Sequence, residues 1–319
     1  MEQAHSSRTY PPGRDAALRR PRTALDSVPR HSRTAQRAVP TKYGSSVVWL
    51  NLVCLDAPLV SLAWLWLFAG TFHAPVAPTA SAALFLTAWV IYLADRLADS
   101  RALPDDGPRS LRHEFCLRHQ QSWLTALGLI AVVDLVILWN GIGAEIAVAG
   151  GVVGALTLIH LLLNYSLGGA WPPLPLKEFA VGFLFASGTL VAIFPVLRPI
   201  TAVIALSAFA FACLCTLNCL CIAFWERKLD EAQGKVSFAT WFPGLNFHLG
   251  KLSLAFGLCS GVAAIIFREV APIFSCIAVS SFLLASLDHS RERIGQDQRT
   301  ALADLVLLTP VVVLLASKM

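Results

Sequence analysis

The chain has 319 residues, of which 56% are hydrophobic and only 14% charged, where ordinary soluble domains carry about a quarter charged residues. That balance excludes a large soluble enzyme and a wholly disordered chain alike. The net charge of +5 hides an uneven distribution, because nine of the 25 basic residues fall within the first 43 positions.

Residues 1–44 are predicted to form a disordered, basic, cytoplasmic tail. Arg8, Arg14, Arg19, Arg20, Arg22, Arg30, Arg33, Arg37 and Lys42 face only Glu2, Asp15 and Asp26 there. Prolines at 11, 12, 21, 29 and 40 remove backbone donors, and too little apolar surface is present to offset the entropy of ordering. No apolar stretch follows a short basic start, so the segment does not read as a secretory signal. The charge reads as a topology signal, with an organelle transit peptide or a lipid-binding polybasic segment as the functional alternatives.

Residues 45–319 are predicted to form one membrane domain. Nine apolar stretches follow the tail, at 47–70, 77–95, 122–140, 145–165, 178–197, 199–225, 250–268, 271–288 and 301–317. Each approaches the roughly 20 residues that cross a bilayer. In lipid every backbone polar group must be satisfied within its own segment, so the stretches are predicted helices and the fold an all-α, polytopic membrane bundle. With nine transmembrane helices, the tail and the loops after even-numbered spans share one side. That side receives 22 basic residues, against only Arg198, Arg268 and Lys318 on the other. The positive-inside rule then puts the amino terminus in the cytoplasm and the carboxyl terminus outside, with a bacterial inner membrane as the expected location.

In chain order, span one carries Asp56, an acid within a predicted span and therefore a functional candidate. Span two ends Ile91-Tyr92-Leu-Ala-Asp95-Arg96-Leu-Ala-Asp99, and span six ends Ile222-Ala-Phe-Trp-Glu226-Arg227-Lys-Leu-Asp230. Both read Ile-x-x-x-acid-Arg-x-x-Asp at the same predicted depth, four spans apart. Two pseudo-repeated four-helix units plus a ninth helix would produce that pattern. Residues i and i+4 share a helix face, so each copy aims two carboxylates one way. Four facing carboxylates call for cations, and hard oxygen ligands with room for substrate phosphates suit Mg²⁺. Arg96, Lys177, Arg227 and Lys235 lie near the same surface and are candidates to neutralise a diphosphate leaving group. Asp134 and Asp304 read as interhelical partners, as does His160. The cysteines at 213, 215, 219 and 221 read as packing residues. Asn218 either reaches the pocket or bonds a neighbouring helix.

On these residues the chain resembles the UbiA superfamily of intramembrane prenyltransferases, which have nine transmembrane helices and two Asp-rich motifs on the cytoplasmic side. Asp95 and Asp99 match the last two acids of the family's Asn-Asp-x-x-Asp-x-x-x-Asp motif, while Ile91 and Tyr92 stand where the family has Asn and Asp. Glu226, Asp230, Gly234 and Ser237 keep the spacing of the second motif, with Glu replacing its first Asp. The stretch from Tyr165 to Lys177 looks like the family's Tyr…Lys segment, and Asp56-Ala57-Pro58 like its opening acid-x-Pro. The resemblance covers roughly 45–317. It implies Mg²⁺ held by Asp95, Asp99, Glu226 and Asp230, a donor diphosphate bound by Arg96, Lys177, Arg227 and Lys235, and a pocket lined by Asp56, Tyr92, Tyr165 and Asn218. The implied activity moves an isoprenyl group from a prenyl diphosphate to a lipophilic aromatic or polyene acceptor, with membrane lipid around it and no nucleic-acid partner. A terpene cyclase that needs no acceptor, a transporter and a non-catalytic relative are the competing readings.

Overall fold

A computed structural model describes residues 46–103, 107–166 and 176–316. The predicted tail and most of the segment between Tyr165 and Lys177 lie outside the described residues. Thirteen α-helices and three 3₁₀ turns account for the ordered structure, with no strand among the described residues.

Span one does not run as one helix. α1 (Ser46–Leu52) stops where Cys54 takes a φ of 56°, and α2 (Asp56–Thr71) restarts two residues later. A positive φ is costly for a residue with a Cβ, so the break is held by what surrounds it. The break places Asn51 and Asp56 side by side rather than a turn apart. α3 (Pro78–Ala102) opens with proline in its first turn, where no backbone donor is missed, and runs on past Asp95 and Asp99. α4 (Leu111–Arg118) is short and of mixed character, and α5 (Gln120–Gly141) and α6 (Ala144–Ser166) are long and apolar. α7 (Lys177–Leu190) is followed by α8 (Ala202–Ala232), whose Thr201 cap accepts from the Ile204 amide at 3.3 Å. α8 outlasts its predicted span by seven residues, so Glu226 and Asp230 sit on continuous helix. α9 (Phe238–Trp241), α10 (Leu249–Ile266), α11 (Ala271–His289), α12 (Gln296–Leu305) and α13 (Pro310–Ala316) complete the chain.

Seven segments are long and apolar enough to cross a membrane: α3, α5, α6, α8, α10, the stretch Arg268–His289 that includes α11, and the stretch Gln296–Ala316 that includes α12 and α13. The protein is a multi-pass membrane protein of helices. Predicted spans one and five fall on α2, of 16 residues, and α7, of 14, which are shorter than a full crossing at about 1.5 Å per residue.

The last segment shows how a proline is accommodated in lipid. Pro310 has no amide hydrogen for the Val306 carbonyl four residues earlier, and the helix passes through a 3₁₀ turn at Val306–Leu308. Ser280 Oγ donates to that carbonyl at 2.8 Å, and Trp64 Nε1 donates to the Leu307 carbonyl at 2.8 Å. The acceptor that the proline frees is thus satisfied from a neighbouring helix, as hydrocarbon surroundings require.

Helices in lipid gain little from burying apolar surface, so close packing must join them. Trp64 stacks on Phe211 with centroids 4.3 Å apart, and Phe68 packs against both, joining α2 to α8. α7 meets α8 through Gly182, where a Cβ would run into the Thr216 backbone. Gly182→Ala is therefore expected to destabilise the bundle by about 1–3 kcal/mol, read as a lower unfolding midpoint in detergent. α6 is different, because none of its residues from Ala144 to Tyr165 is fully buried, and α5 buries only Trp123 and Asp134. Thr87 Oγ1 of α3 donates to Asp134 at 2.7 Å, which bears out the interhelical role expected for that acid.

Candidate active site

The acid motif of span two sits on the last two turns of α3, and its i,i+4 spacing does place Asp95 and Asp99 on one face. The Tyr165 hydroxyl, at the end of α6, lies 2.7 Å from Asp95 Oδ1 and 3.0 Å from Asp99 Oδ1. One O–H therefore serves two carboxylates and holds them together. Lys235 Nζ reaches Asp99 Oδ2 at 3.5 Å. Its approach depends on the turn that ends α8. Gly234 takes a φ of 68°, the left-handed value glycine adopts without steric cost, and the Lys235 amide closes the turn on the Asp230 carbonyl at 2.9 Å. Lys177, at the first position of α7, lies within electrostatic reach of Asp99, Asp95, Glu178 and Asp230. Asp230 in turn lies within reach of Glu226, Lys235 and Lys177. Three carboxylates and two ammonium groups from α3, α7, α8 and the following turn thus converge.

Glu226 takes a different position from the one predicted. It is buried, its Oε2 is paired with the Arg112 guanidinium of α4, and its Oε1 accepts from Thr300 of α12 at 3.1 Å. Both oxygens are engaged, so the carboxylate is tied to α4 and α12 while Asp95 and Asp99 share Tyr165. Arg227 is also directed elsewhere: it pairs with Glu231 at 3.7 Å on the accessible side of α8. Arg96 turns inward, 6% exposed, with its guanidinium 5.2 Å from the centroid of Tyr92. Trp225 faces the Arg299 guanidinium, 5.0 Å from its ring, and donates from Nε1 to Asp288 at 2.9 Å.

Asp56 and Asn218, predicted to line the pocket, belong to a separate buried network with Asn51 and Asp304. Tyr92 lies within electrostatic reach of Asp56, Asp304 and Arg96, between the two groups.

Sequence reasoning missed α4 altogether. Its Arg112 holds Glu226. Its neighbour His113 approaches Asp99 at 4.0 Å and pairs Nδ1 with the Ser110 hydroxyl at 2.8 Å. Burial, then the nearby Arg112, Arg96 and Lys235, push the His113 pKa down to about 2 against the pull of Asp99, so the imidazole is neutral. The Leu111 amide donates to Asp297 at 3.2 Å, docking α4 on α12. The dense basic charge between spans two and three, Arg109, Arg112 and Arg118 among it, is the signal in the sequence that marks α4. His160, read as an interhelical residue, lies within electrostatic reach of Asp95 and Lys177.

Comparison of the chain with protein-family models, curated proteins and solved structures gave no match.

Proposed function

We propose that the protein is a nine-span intramembrane prenyltransferase of the UbiA type, its basic amino-terminal tail in the cytoplasm of a bacterial cell and residues 45–319 embedded in the inner membrane. The two acid motifs are the matching ends of an internal repeat on this reading. The observation that carries it is the grouping of Asp95 and Asp99 under one tyrosine hydroxyl with Lys235 and Lys177 beside them. Anionic and cationic groups interleaved at a helix end suit a substrate that arrives as a metal-bridged diphosphate.

Among the described residues, no three His, Cys, Asp or Glu side chains stand together as a metal-binding set. Mg²⁺ shared with a substrate asks for less, typically one or two carboxylates, with waters and phosphate oxygens completing the shell. Asp95 and Asp99 meet that requirement, since both Oδ1 atoms lie within 3.0 Å of one oxygen, that of Tyr165. They would hold the ion, with Asp230 next in reach and Glu226 withdrawn. Bound Mg²⁺ supplies Lewis-acid stabilisation to a departing diphosphate.

The protein's own groups do the rest. Lys177 and Lys235 bind the donor's diphosphate and take up negative charge as the allylic C–O bond lengthens. Arg96 holds its charge close behind Asp95, against the Tyr92 ring. The membrane-embedded interior keeps water from the allylic cation until a lipophilic acceptor captures it.

The test is Mg²⁺-dependent diphosphate release by the purified protein from a panel of isoprenyl diphosphates, with lipid products extracted from the same tubes. Release and a prenylated acceptor are expected. A cyclised hydrocarbon without acceptor would move the assignment to a cyclase, and no release with no Mg²⁺-dependent donor binding would sink it. Lys177→Gln is expected to raise the donor KM about tenfold, one charge-assisted hydrogen bond's worth, with the folded state unchanged in size-exclusion profile.

A further inference from the structure

α4 presents His113 to Asp99 at the expense of its own helix cap. Ser110 stands just before the helix, where a serine hydroxyl ordinarily accepts from the free amides of the first turn. It makes no such bond. Its hydroxyl meets His113 Nδ1 instead, at 2.8 Å, and the two residues are 5% and 4% exposed. A missing cap costs a helix about 1 kcal/mol, so the capping residue is given over to fixing one imidazole. With Nδ1 engaged, the other ring nitrogen, Nε2, faces Asp99 Oδ2 at 4.0 Å.

That separation is too long for a hydrogen bond. It suits a shared cation, because a metal such as zinc sits about 2.0–2.2 Å from imidazole nitrogen and carboxylate oxygen alike. Asp99 also turns its two oxygens to different partners. Oδ1 accepts from the Tyr165 hydroxyl at 3.0 Å, on the side shared with Asp95. Oδ2 faces His113 and the Lys235 ammonium, the latter at 3.5 Å. A positive charge therefore already balances Oδ2, and it is carried on a long, partly exposed side chain, whereas the imidazole is buried and held. A metal ion arriving at Oδ2 takes over that balancing role, and Lys235 is released toward the anionic oxygens of a substrate.

Resting on the metal-dependent transfer reading above, the geometry points to His113 as a nitrogen ligand that joins Asp99 Oδ2 in holding the ion and turns the site toward Mn²⁺ and Co²⁺. Mg²⁺ is served by oxygen ligands, whereas imidazole suits transition metals, whose affinity for mixed nitrogen and oxygen donors rises from Mn²⁺ to Co²⁺. Among the described residues no three such side chains stand close enough to enclose an ion. The set is therefore an open one, with positions left for water and phosphate oxygens. Ser110 is a positioning residue on this assignment. By accepting from Nδ1–H it leaves the Nε2 lone pair free and aims it, as the outer partners of metal-bound histidines do.

The experiment uses the full chain in lipid nanodiscs with Mn²⁺ alone as the probe, followed by electron paramagnetic resonance. Loss of the free-ion signal gives the affinity, and spin-echo modulation by nitrogen nuclei reports a nitrogen bonded to the ion. Saturable binding with nitrogen modulation is expected, with Mg²⁺ a weaker competitor. His113→Gln is expected to abolish the modulation and to weaken Mn²⁺ binding by more than about tenfold. Should that variant fail to fold, Ser110→Ala gives the second measurement, an affinity lowered about tenfold, the scale of losing an outer partner, with the modulation kept. Wild-type protein that does not bind Mn²⁺, or binds it without nitrogen modulation, overturns the ligand role. So does modulation that survives in folded His113→Gln, or an unchanged affinity in Ser110→Ala. If Mg²⁺-dependent diphosphate release from farnesyl diphosphate continues in that sample, transfer chemistry stands on the carboxylates without His113. If neither Mg²⁺-dependent donor binding nor diphosphate release is found, the transferase reading falls, and this role for His113 with it.

Discussion

Asp99→Ala is expected to lower the turnover rate of Mg²⁺-dependent diphosphate release by about 10²–10³-fold, the size of effect that follows removal of one preorganised electrostatic group. Asp99 is the residue on which the site's contacts concentrate. Its Oδ1 accepts from Tyr165, its Oδ2 faces Lys235 at 3.5 Å and His113 at 4.0 Å, and Lys177 lies within electrostatic reach. Removing the carboxylate leaves two ammonium groups less neutralised, so the donor's anionic head should still bind. The loss should accordingly appear in kcat more than in KM, the signature of an interaction made in the transition state. Steady-state kinetics on a variant with an unchanged unfolding midpoint checks it. Asp95→Ala should behave alike, and wild-type kcat in either folded variant would contradict the role assigned to the pair.

Arg112→Ala should be strongly destabilising, costing about 3–5 kcal/mol. Glu226 is 6% exposed and has two partners, Arg112 and Thr300. Deleting the guanidinium leaves a carboxylate buried with a single hydroxyl for company. The double variant Arg112→Leu with Glu226→Leu removes both charges and should recover most of that loss, because a buried ion pair offsets little more than its own desolvation. The more accessible pair of the adjacent Arg227 with Glu231 provides the contrast, since Arg227→Ala should change stability by about 0.5 kcal/mol or less. Unfolding in graded SDS reads all three. A double variant as unstable as the single one would mean that Arg112 acts through packing and not through charge.

The helices and the Asp95–Asp99 face were legible because both follow from local periodicity: apolar run length for the one, the i,i+4 rule for the other. Glu226 was assigned to the same group by analogy between two motifs, and the analogy fails on a non-local fact. Arg112 arrives on α4, 114 residues earlier, and claims the carboxylate. Nothing in spacing separates a basic residue that sets topology from one that folds back under the bundle. Asn51 and Asp304, 253 residues apart, could be joined only by knowing that α1 and α12 are neighbours. The break at Cys54 was likewise invisible, since no glycine or proline marks it and the apolar run continues across it.

Tyr165 has a further consequence through the helix that carries it. α6 has no fully buried residue over Ala144–Tyr165, so its depth and slant answer to the surrounding lipid more than to its neighbours. Its last turn nevertheless holds the hydroxyl that spans Asp95 and Asp99. A helix of 23 residues is about 34 Å long at 1.5 Å per residue, and it accommodates a thinner or thicker bilayer by tilting. Acyl-chain length thereby becomes a control variable for the carboxylate pair: the lipid sets the pose of α6, and α6 sets where its phenol meets the acids.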